Sequence, residues 1–307
     1  MLKCLAALFI SGIIFSGVPV IAQDTTNFWE ATTSYSKQRG RIVAIGLGST
    51  YVASMTGLYY LWYADYDMGK FHSFDDNDEW LQVDKAGHLG SAYYLGKWGI
   101  DLMQWTGMKH TKATVIGGGL GFAFLSTVEA FDGFSNEWGF SSGDMIANAG
   151  GTVMAVSQEL LWKEQRISIK FSWHPTDLNQ YNPDLLGQGF PETMFKDYNG
   201  QAYWLSGNIA SFLKDDSSFP KWLNIAAGYG ADGMLGARDN LEFQSGPASE
   251  YKRYRQFYLA PDIDLTKIKT QNNILKIAFR AFGFLKFPAP TLEYNNKNNL
   301  KFHWLYF

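Results

Sequence analysis

Cysteine is nearly absent from this chain, since Cys4 is the only one among 307 residues. It lies in an N-terminal segment with a short basic start, an apolar run and the small residue Ala22, which is the pattern of a signal peptide over residues 1–22. An uncleaved anchor is the competing interpretation. Because only three residues precede Cys4, we do not expect lipid attachment there. Cleavage after Ala22 leaves no disulfide, thiol nucleophile or cysteine metal site.

An excess of positive charge is also missing, since 26 Lys and Arg stand against 29 Asp and Glu. Nucleic acid is bound mainly through clustered Lys and Arg, so this balance argues against nucleic acid as a partner. Two catalytic motifs are absent as well. No Gly-x-Ser-x-Gly occurs, and the glycines at 117–119 and 121 are not followed by the Lys-Ser/Thr of a phosphate loop. Their position in an apolar segment favours close helix packing instead.

Four apolar, glycine-rich segments fill the first half of the chain and are predicted to be helices. They cover residues 42–62, 85–105, 113–130 and 143–162. The first is uncharged and just long enough to cross a bilayer, whereas the others carry charge or have a shorter uncharged core. The aromatic content of 17% suits a membrane boundary as well as a protein core. We expect a glycine-rich four-helix bundle that is associated with a membrane.

The second half of the chain has patterns typical of strands rather than of long helices. Short alternating or aromatic runs predict strands at residues 167–173, 222–229, 255–265 and 300–306. Residues 272–287 predict an amphipathic helix in the most basic part of the chain, which either covers a sheet or lies beside anionic lipid. The expected fold class is α+β. A helical domain at 23–165 would precede a small, mostly antiparallel sheet with the amphipathic helix at 166–307.

Polar residues in the helical half occur in pairs with helical spacing. Each of three predicted helices carries one pair near an end, so the pairs are expected to converge at one end of the bundle. An unpartnered buried polar group would cost roughly 2–7 kcal/mol, which favours a shared network. The pairs are Asp84 with His88, Glu129 with Asp132, and Asp144 with Asn148.

The predicted cluster has three open roles. As catalytic candidates, His88, Glu129 and Asp144 suit acid/base chemistry, because histidine titrates near neutral pH. The same nitrogen and oxygen atoms suit a divalent metal. Asp84, Asp132 and Asn148 are candidate binding residues of the network. The alternative is purely structural: Asp84 and the Ser141–Asp144 pair would cap helices, and Glu129 and Asn148 would hold helices together by hydrogen bonds.

These motifs also carry a family resemblance. The strings Asp84-Lys-x-x-His88, Glu129-x-x-Asp132-Gly-Phe-Ser and Asp144-x-x-x-Asn148 resemble an envelope family, domain of unknown function 2279, described as a predicted periplasmic lipoprotein. The likeness extends over most of the chain after the signal peptide, including residues 288–293. It implies that the six cluster residues are signature positions, and it implies no activity. Residues 84–151 are also loosely similar to VanZ-like membrane proteins, which points towards envelope lipids or wall precursors.

Two functional hypotheses follow for a protein exported to the cell envelope, membrane-associated or periplasmic. The first is a non-enzymatic protein, structural or lipid-binding, in which the cluster specifies the fold. The alternative is a metal-dependent or acid/base enzyme that acts on a lipid-linked or cell-wall-derived phosphate. Membrane lipid is the expected partner. The sequence specifies neither a cofactor nor a protein partner.

Overall fold

The structure is a computed structural model that describes residues 28–64, 66–214, 216–243 and 246–306. The predicted signal peptide and Cys4 lie outside the described residues. The chain divides into two compact units, which are described separately below. The first comprises Met1–Asp76 and Gly87–Gln165, and the second comprises Asn77–Ala86 and Arg166–Phe307.

Long helices form the first unit, as the apolar segments predicted. They are α1 (Lys37–Leu58), α2 (Val83–Trp105), α3 (His110–Phe134) and α4 (Ser142–Trp162), and the first turn of α2 is assigned to the second unit. Helix α1 passes into a π-helical turn at Tyr59–Tyr63. Helix α4 begins where the Ser141 side chain caps the Asp144 amide and ends at Lys163, whose φ of 58° is left-handed. The predicted cap at Ser141 is therefore confirmed.

Glycines let these helices approach one another closely. A Cβ atom on Gly96 of α2 would lie 2.7 Å from the Gly118 carbonyl oxygen of α3, so the two backbones meet at this point. Gly151 of α4 packs against the Leu89 carbonyl of α2 in the same way. Side chains at these positions would force the helices apart, because packed interiors have little free space. The predicted packing role is confirmed for Gly117, Gly118 and Gly121, whereas a Cβ atom on Gly119 would have no neighbour within 4 Å.

An antiparallel sheet forms the second unit, which confirms the α+β fold class. Its strands pair in chain order, each with the next. They are β1 (Ile167–Trp173), β2 (Gln201–Asn208), β3 (Leu223–Asp232), β4 (Tyr254–Ile263), β5 (Ala289–Asn295) and β6 (Asn299–Tyr306). Four strands match the sequence prediction, whereas β2 and β5 were not predicted. Proline near the start of β5 and polar residues and glycine in β2 weaken the strand signal.

Three shorter helices complete the described α-helices: α5 (Pro183–Leu186), α6 (Glu192–Lys196) and α7 (Asn273–Ala281). The amphipathic helix predicted at 272–287 is therefore confirmed only in its first part. After α7 the backbone pairs with β1 instead, since the Phe171 amide donates to Phe284 at 2.7 Å and the Lys286 amide donates to Phe171 at 2.8 Å. This pairing explains why the helix ends early.

The sheet buries a face that is aromatic at its centre and rich in polar groups. Trp204 and Tyr258 stack there with ring centroids 5.3 Å apart. Beside them, the Asp262 carboxylate lies 3.2 Å from Lys170 Nζ and 3.7 Å from Lys286 Nζ, and all three side chains are almost fully buried. Buried charges persist only when they are paired and hydrogen-bonded. The opposite face of the sheet consequently carries the exposed apolar residues.

Candidate functional site

The polar cluster predicted from the sequence assembles in the first unit around His88. Helix α2 supplies His88, helix α3 supplies Glu129, and helix α4 supplies Asp144 and Asn148. His88 and Glu129 are each 1% exposed and Asn148 is fully buried. Buried charges of this kind require partners, so the positions of these side chains are fixed by one another.

His88 contacts a polar group through each ring nitrogen. Its Nδ1 lies 3.1 Å from Asn148 Oδ1, and its Nε2 lies 3.5 Å from Asp144 Oδ2 and 3.8 Å from Glu129 Oε1. With the amide oxygen of Asn148 as acceptor, Nδ1 carries the proton and donates it. Nε2 therefore faces two carboxylates. A proton or a cation at this position would relieve the repulsion between the lone pair of Nε2 and the carboxylate oxygens.

Ser141 contacts both acidic residues, the Glu129 carboxylate and the Asp144 backbone. Its backbone amide donates to Glu129 Oε2 at 3.3 Å, and its hydroxyl accepts from the Asp144 amide at 3.1 Å. The same hydroxyl donates to Asp76 Oδ1 at 2.6 Å. The sequence did not predict this link, because the two residues are 65 positions apart and no local pattern joins them.

The two remaining predicted residues have partners of their own. Asp132 accepts a hydrogen bond from the Tyr63 hydroxyl at 2.8 Å. Asp84 lies in the first turn of α2, one turn before His88 and on the same helix face. Within the second unit, Asp84 accepts from the Tyr198 hydroxyl at 3.4 Å and from Lys85 Nζ at 3.2 Å.

Two other histidines also pair with carboxylates. In the first unit His110 Nε2 lies 3.1 Å from Glu159 Oε1, and in the second His303 Nε2 lies 2.6 Å from Glu293 Oε2. Each carboxylate lies on a neighbouring helix or strand, so helical spacing in the sequence could not predict these pairs. His303 becomes a neighbour of Glu293 only through the register of β5 and β6, which aligns Glu293 with Lys301.

Part of this chain is similar to a known family. Residues 72–159 match the model of a family described as predicted periplasmic lipoprotein (DUF2279). The segment contains the whole His88 cluster, and its description confirms that the protein is exported to the cell envelope.

The DUF2279 match is narrower than the resemblance expected from the sequence. It ends at residue 159 and does not reach residues 288–293, so all six strands of the sheet lie outside it. The looser likeness to VanZ-like membrane proteins has no support in these comparisons. No curated protein and no solved structure matches the chain.

Proposed function

We propose that this envelope protein binds a lipid membrane through the exposed face of its sheet. The observation that carries the proposal is which face of the sheet is exposed. The buried face holds Lys170, Asp262 and Glu293, whereas the exposed face is mostly apolar. Contiguous exposed apolar surface on a folded protein marks a site of interaction with a membrane or another protein.

The apolar face is continuous because the strands are in register. Leu205 pairs with Ala227, which pairs with Leu259 on β4. The row continues through Leu292 to Phe302 on β6. A second row joins Phe257, Tyr294 and Leu300. The exposed members, together with nearby Trp304, are defined here as the apolar sheet face: Leu205, Phe257, Leu259, Leu292, Tyr294, Leu300, Phe302 and Trp304.

Two observations favour lipid as the occupant. Trp304 is 82% exposed and Tyr294 is also exposed, and these are the side chains that favour the boundary between water and hydrocarbon. Helix α7 exposes Ile274 and Ile277 together with Lys276 and Arg280. A short helix with exposed apolar and basic residues is suited to an anionic membrane surface.

The helical unit supports the same proposal. Among the described residues one helix, His110–Phe134, is long and apolar enough to cross a membrane, a criterion that core helices of soluble proteins also meet. The sequence had favoured residues 42–62 instead. An apolar cavity of about 290 Å³ is lined by residues of α1, α2 and α3, including Tyr51, Trp98 and Phe124. We propose that the four long helices form a glycine-rich bundle against the membrane and that this cavity accepts an acyl chain.

Vesicle binding tests the proposal. The purified chain without its signal peptide is sedimented with vesicles of phosphatidylethanolamine and phosphatidylglycerol. Leu259→Ser with Leu292→Ser should reduce the bound fraction strongly, because both side chains lie on the apolar sheet face. The matched control is Leu185→Ser with Leu241→Ser, since both leucines are exposed in the same unit but lie outside the strands. Equal binding by both double variants would contradict the proposal.

A second candidate function rests on the His88 cluster. One histidine between two carboxylates within 3.8 Å suits acid/base or metal-dependent chemistry on a lipid-linked or wall-derived phosphate. Separation of these side chains by more than about 10 Å would have excluded a shared reaction. Release of phosphate from a lipid-linked diphosphate is the test. Turnover that survives His88→Ala in the folded protein would contradict this function.

A further inference from the structure

We infer that the apolar cavity of the first unit binds an uncharged single-chain lipid that carries a hydroxyl or carbonyl oxygen, of the fatty-alcohol or monoacylglycerol type. The inference rests on the proposed function, which assigns an acyl chain to this cavity, and it adds the charge and the polar group of the ligand. All the lining residues belong to the first unit, so the cavity lies within one compact part of the chain.

The cavity lies between α1 and the pair formed by α2 and α3. Gly99 of α2 lines it, and a Cβ atom there would overlap the Gly117 carbonyl oxygen of α3, so these two helices are in backbone contact beside the cavity. Tyr51 of α1 reaches Phe124 of α3, with ring centroids 5.9 Å apart. Gly48 of α1 also lines the cavity, but it is exposed and a Cβ atom on it would have no neighbour within 4 Å. The cavity is therefore closed between α2 and α3 and open beside Gly48.

The lining of the cavity excludes a charged ligand group. Among the described residues that line it, none is Asp, Glu, Lys, Arg or His, and half are Leu or Phe. A carboxylate or phosphate would lose its water shell here without gaining an opposite charge, which is strongly unfavourable. The volume of about 290 Å³ lies at the lower end of the range of ligand pockets, which suits one acyl chain rather than two.

Thr50 supplies a polar group for the ligand. It lines the cavity, is 6% exposed, and its hydroxyl oxygen is buried without a hydrogen-bond partner in the described parts of the chain. A threonine within a helix can donate to the carbonyl four residues earlier, as Thr114 does to His110 at 2.9 Å and Thr127 does to Ala123 at 3.0 Å. The Thr50 hydroxyl makes no such bond. An oxygen on the bound chain would satisfy this otherwise unfavourable buried group.

Displacement of a fluorescent reporter measures ligand binding. The uncharged dye N-phenyl-1-naphthylamine is added to the purified chain without its signal peptide, in buffer free of detergent and lipid. We expect saturable dye binding that 1-decanol displaces. Decanoate at neutral pH should displace the dye at least about ten-fold less well, because its carboxylate would be buried without a counter-charge. Absence of displaceable dye binding overturns the inference, and so does equal displacement by decanoate or by dihexanoyl phosphatidylglycerol.

Two glycines of α1 give a matched pair of variants. Gly48→Phe adds a ring at the open side of the cavity and should weaken the binding of dye and decanol about ten-fold, because the ring occupies space that the ligand needs. Gly46→Phe is the control, since a Cβ atom on Gly46 also has no neighbour within 4 Å but Gly46 does not line the cavity. Both variants change the helix propensity of α1 equally. Equal affinities of the two variants for decanol would overturn the inference.

The Thr50 hydroxyl is tested by two further variants. Thr50→Val keeps the shape of the side chain and removes the hydroxyl, so it should weaken decanol binding about five-fold, the effect of one hydrogen bond. Thr50→Ser keeps the hydroxyl and should retain most of the affinity. Decanol affinity that is unchanged in Thr50→Val would overturn the assignment of the polar group. These measurements also decide the inference if Gly48→Phe fails to fold.

Failure of this inference can be told apart from failure of the membrane proposal. Leu259→Ser with Leu292→Ser changes the apolar sheet face and should leave the binding of dye and decanol unchanged. Wild-type protein that sediments with vesicles but shows no displaceable dye binding would overturn the cavity ligand alone. Wild-type protein that binds decanol but does not sediment with vesicles would overturn the membrane proposal and support the cavity ligand.

Discussion

Gly117 of α3 and Gly99 of α2 meet backbone to backbone. A Cβ atom on Gly117 would lie 2.5 Å from the Ile100 amide nitrogen, whereas a Cβ atom on Gly119 would have no neighbour within 4 Å. Gly117 and Gly119 are separated by a single residue on α3. Their difference in surroundings therefore isolates the effect of helix–helix packing from that of helix propensity.

Alanine substitutions at these two glycines should have opposite effects. Gly117→Ala should lower the free energy of unfolding by about 1–3 kcal/mol, because the added methyl group forces two helices apart. Gly119→Ala should raise it by up to about 1 kcal/mol, because alanine favours a helix more than glycine does. Chemical denaturation followed by circular dichroism measures both. Equal destabilisation by the two variants would contradict the packing described here.

Asp262 neutralises two buried lysines, so its removal should lower the free energy of unfolding. Asp262→Asn leaves Lys170 and Lys286 without a counter-ion, so we expect a loss of about 3–5 kcal/mol in the free energy of unfolding. The control is Asp101→Asn, which breaks the partly exposed 3.7 Å pair with Lys97 and should cost less than about 1 kcal/mol. Denaturation midpoints of the two variants compare the effects. A loss at Asp262 no larger than that at Asp101 would show that the charges are not buried.

Glu293 should contribute to the loss of stability in acid. Burial acts to raise the pKa of Glu293, but hydrogen bonds from Gln256, His303 and Asn295 outweigh it and hold the pKa below the ordinary 4.5. A depressed carboxyl pKa stabilises the folded state above pH 4.5, and this stabilisation is lost as the pH falls through the folded-state pKa. Glu293→Gln should therefore be less stable at pH 7 and lose less stability between pH 5 and 3. An unchanged acid slope in thermal unfolding would contradict this.

The basic residues of α7 should act only on anionic membranes. Each charge near such a surface contributes about 1 kcal/mol, so Lys276→Gln with Arg280→Gln should weaken binding to anionic vesicles by about 30-fold. Binding to neutral vesicles should hardly change, and added salt should reduce the difference. Sedimentation at two salt concentrations measures this. An equal loss on neutral vesicles would show that the two side chains act by packing rather than by charge.

The sequence predicted the helices and much of the cluster because both depend on local spacing. Apolar, glycine-rich runs marked α1 to α4, and the pairs at i+3 and i+4 marked His88, Glu129 and Asp144. The contacts of Ser141 with Asp76 and of His303 with Glu293 could not be predicted, since they depend on the tertiary fold. The sequence also did not predict which face of the sheet is buried. A period of two separates an apolar face from a polar one, but it does not tell which of them is buried.

Fractionation of the native protein tests the central claim, that the protein works at a membrane, most directly. Cells are separated into a soluble periplasmic fraction and membranes on a density gradient, and each membrane fraction is washed with carbonate. The membrane proposal predicts that the protein sediments with a membrane fraction and that a substantial part resists the wash, because apolar side chains hold it there. Recovery of the wild-type protein in the soluble periplasmic fraction, with none on membranes, would contradict it.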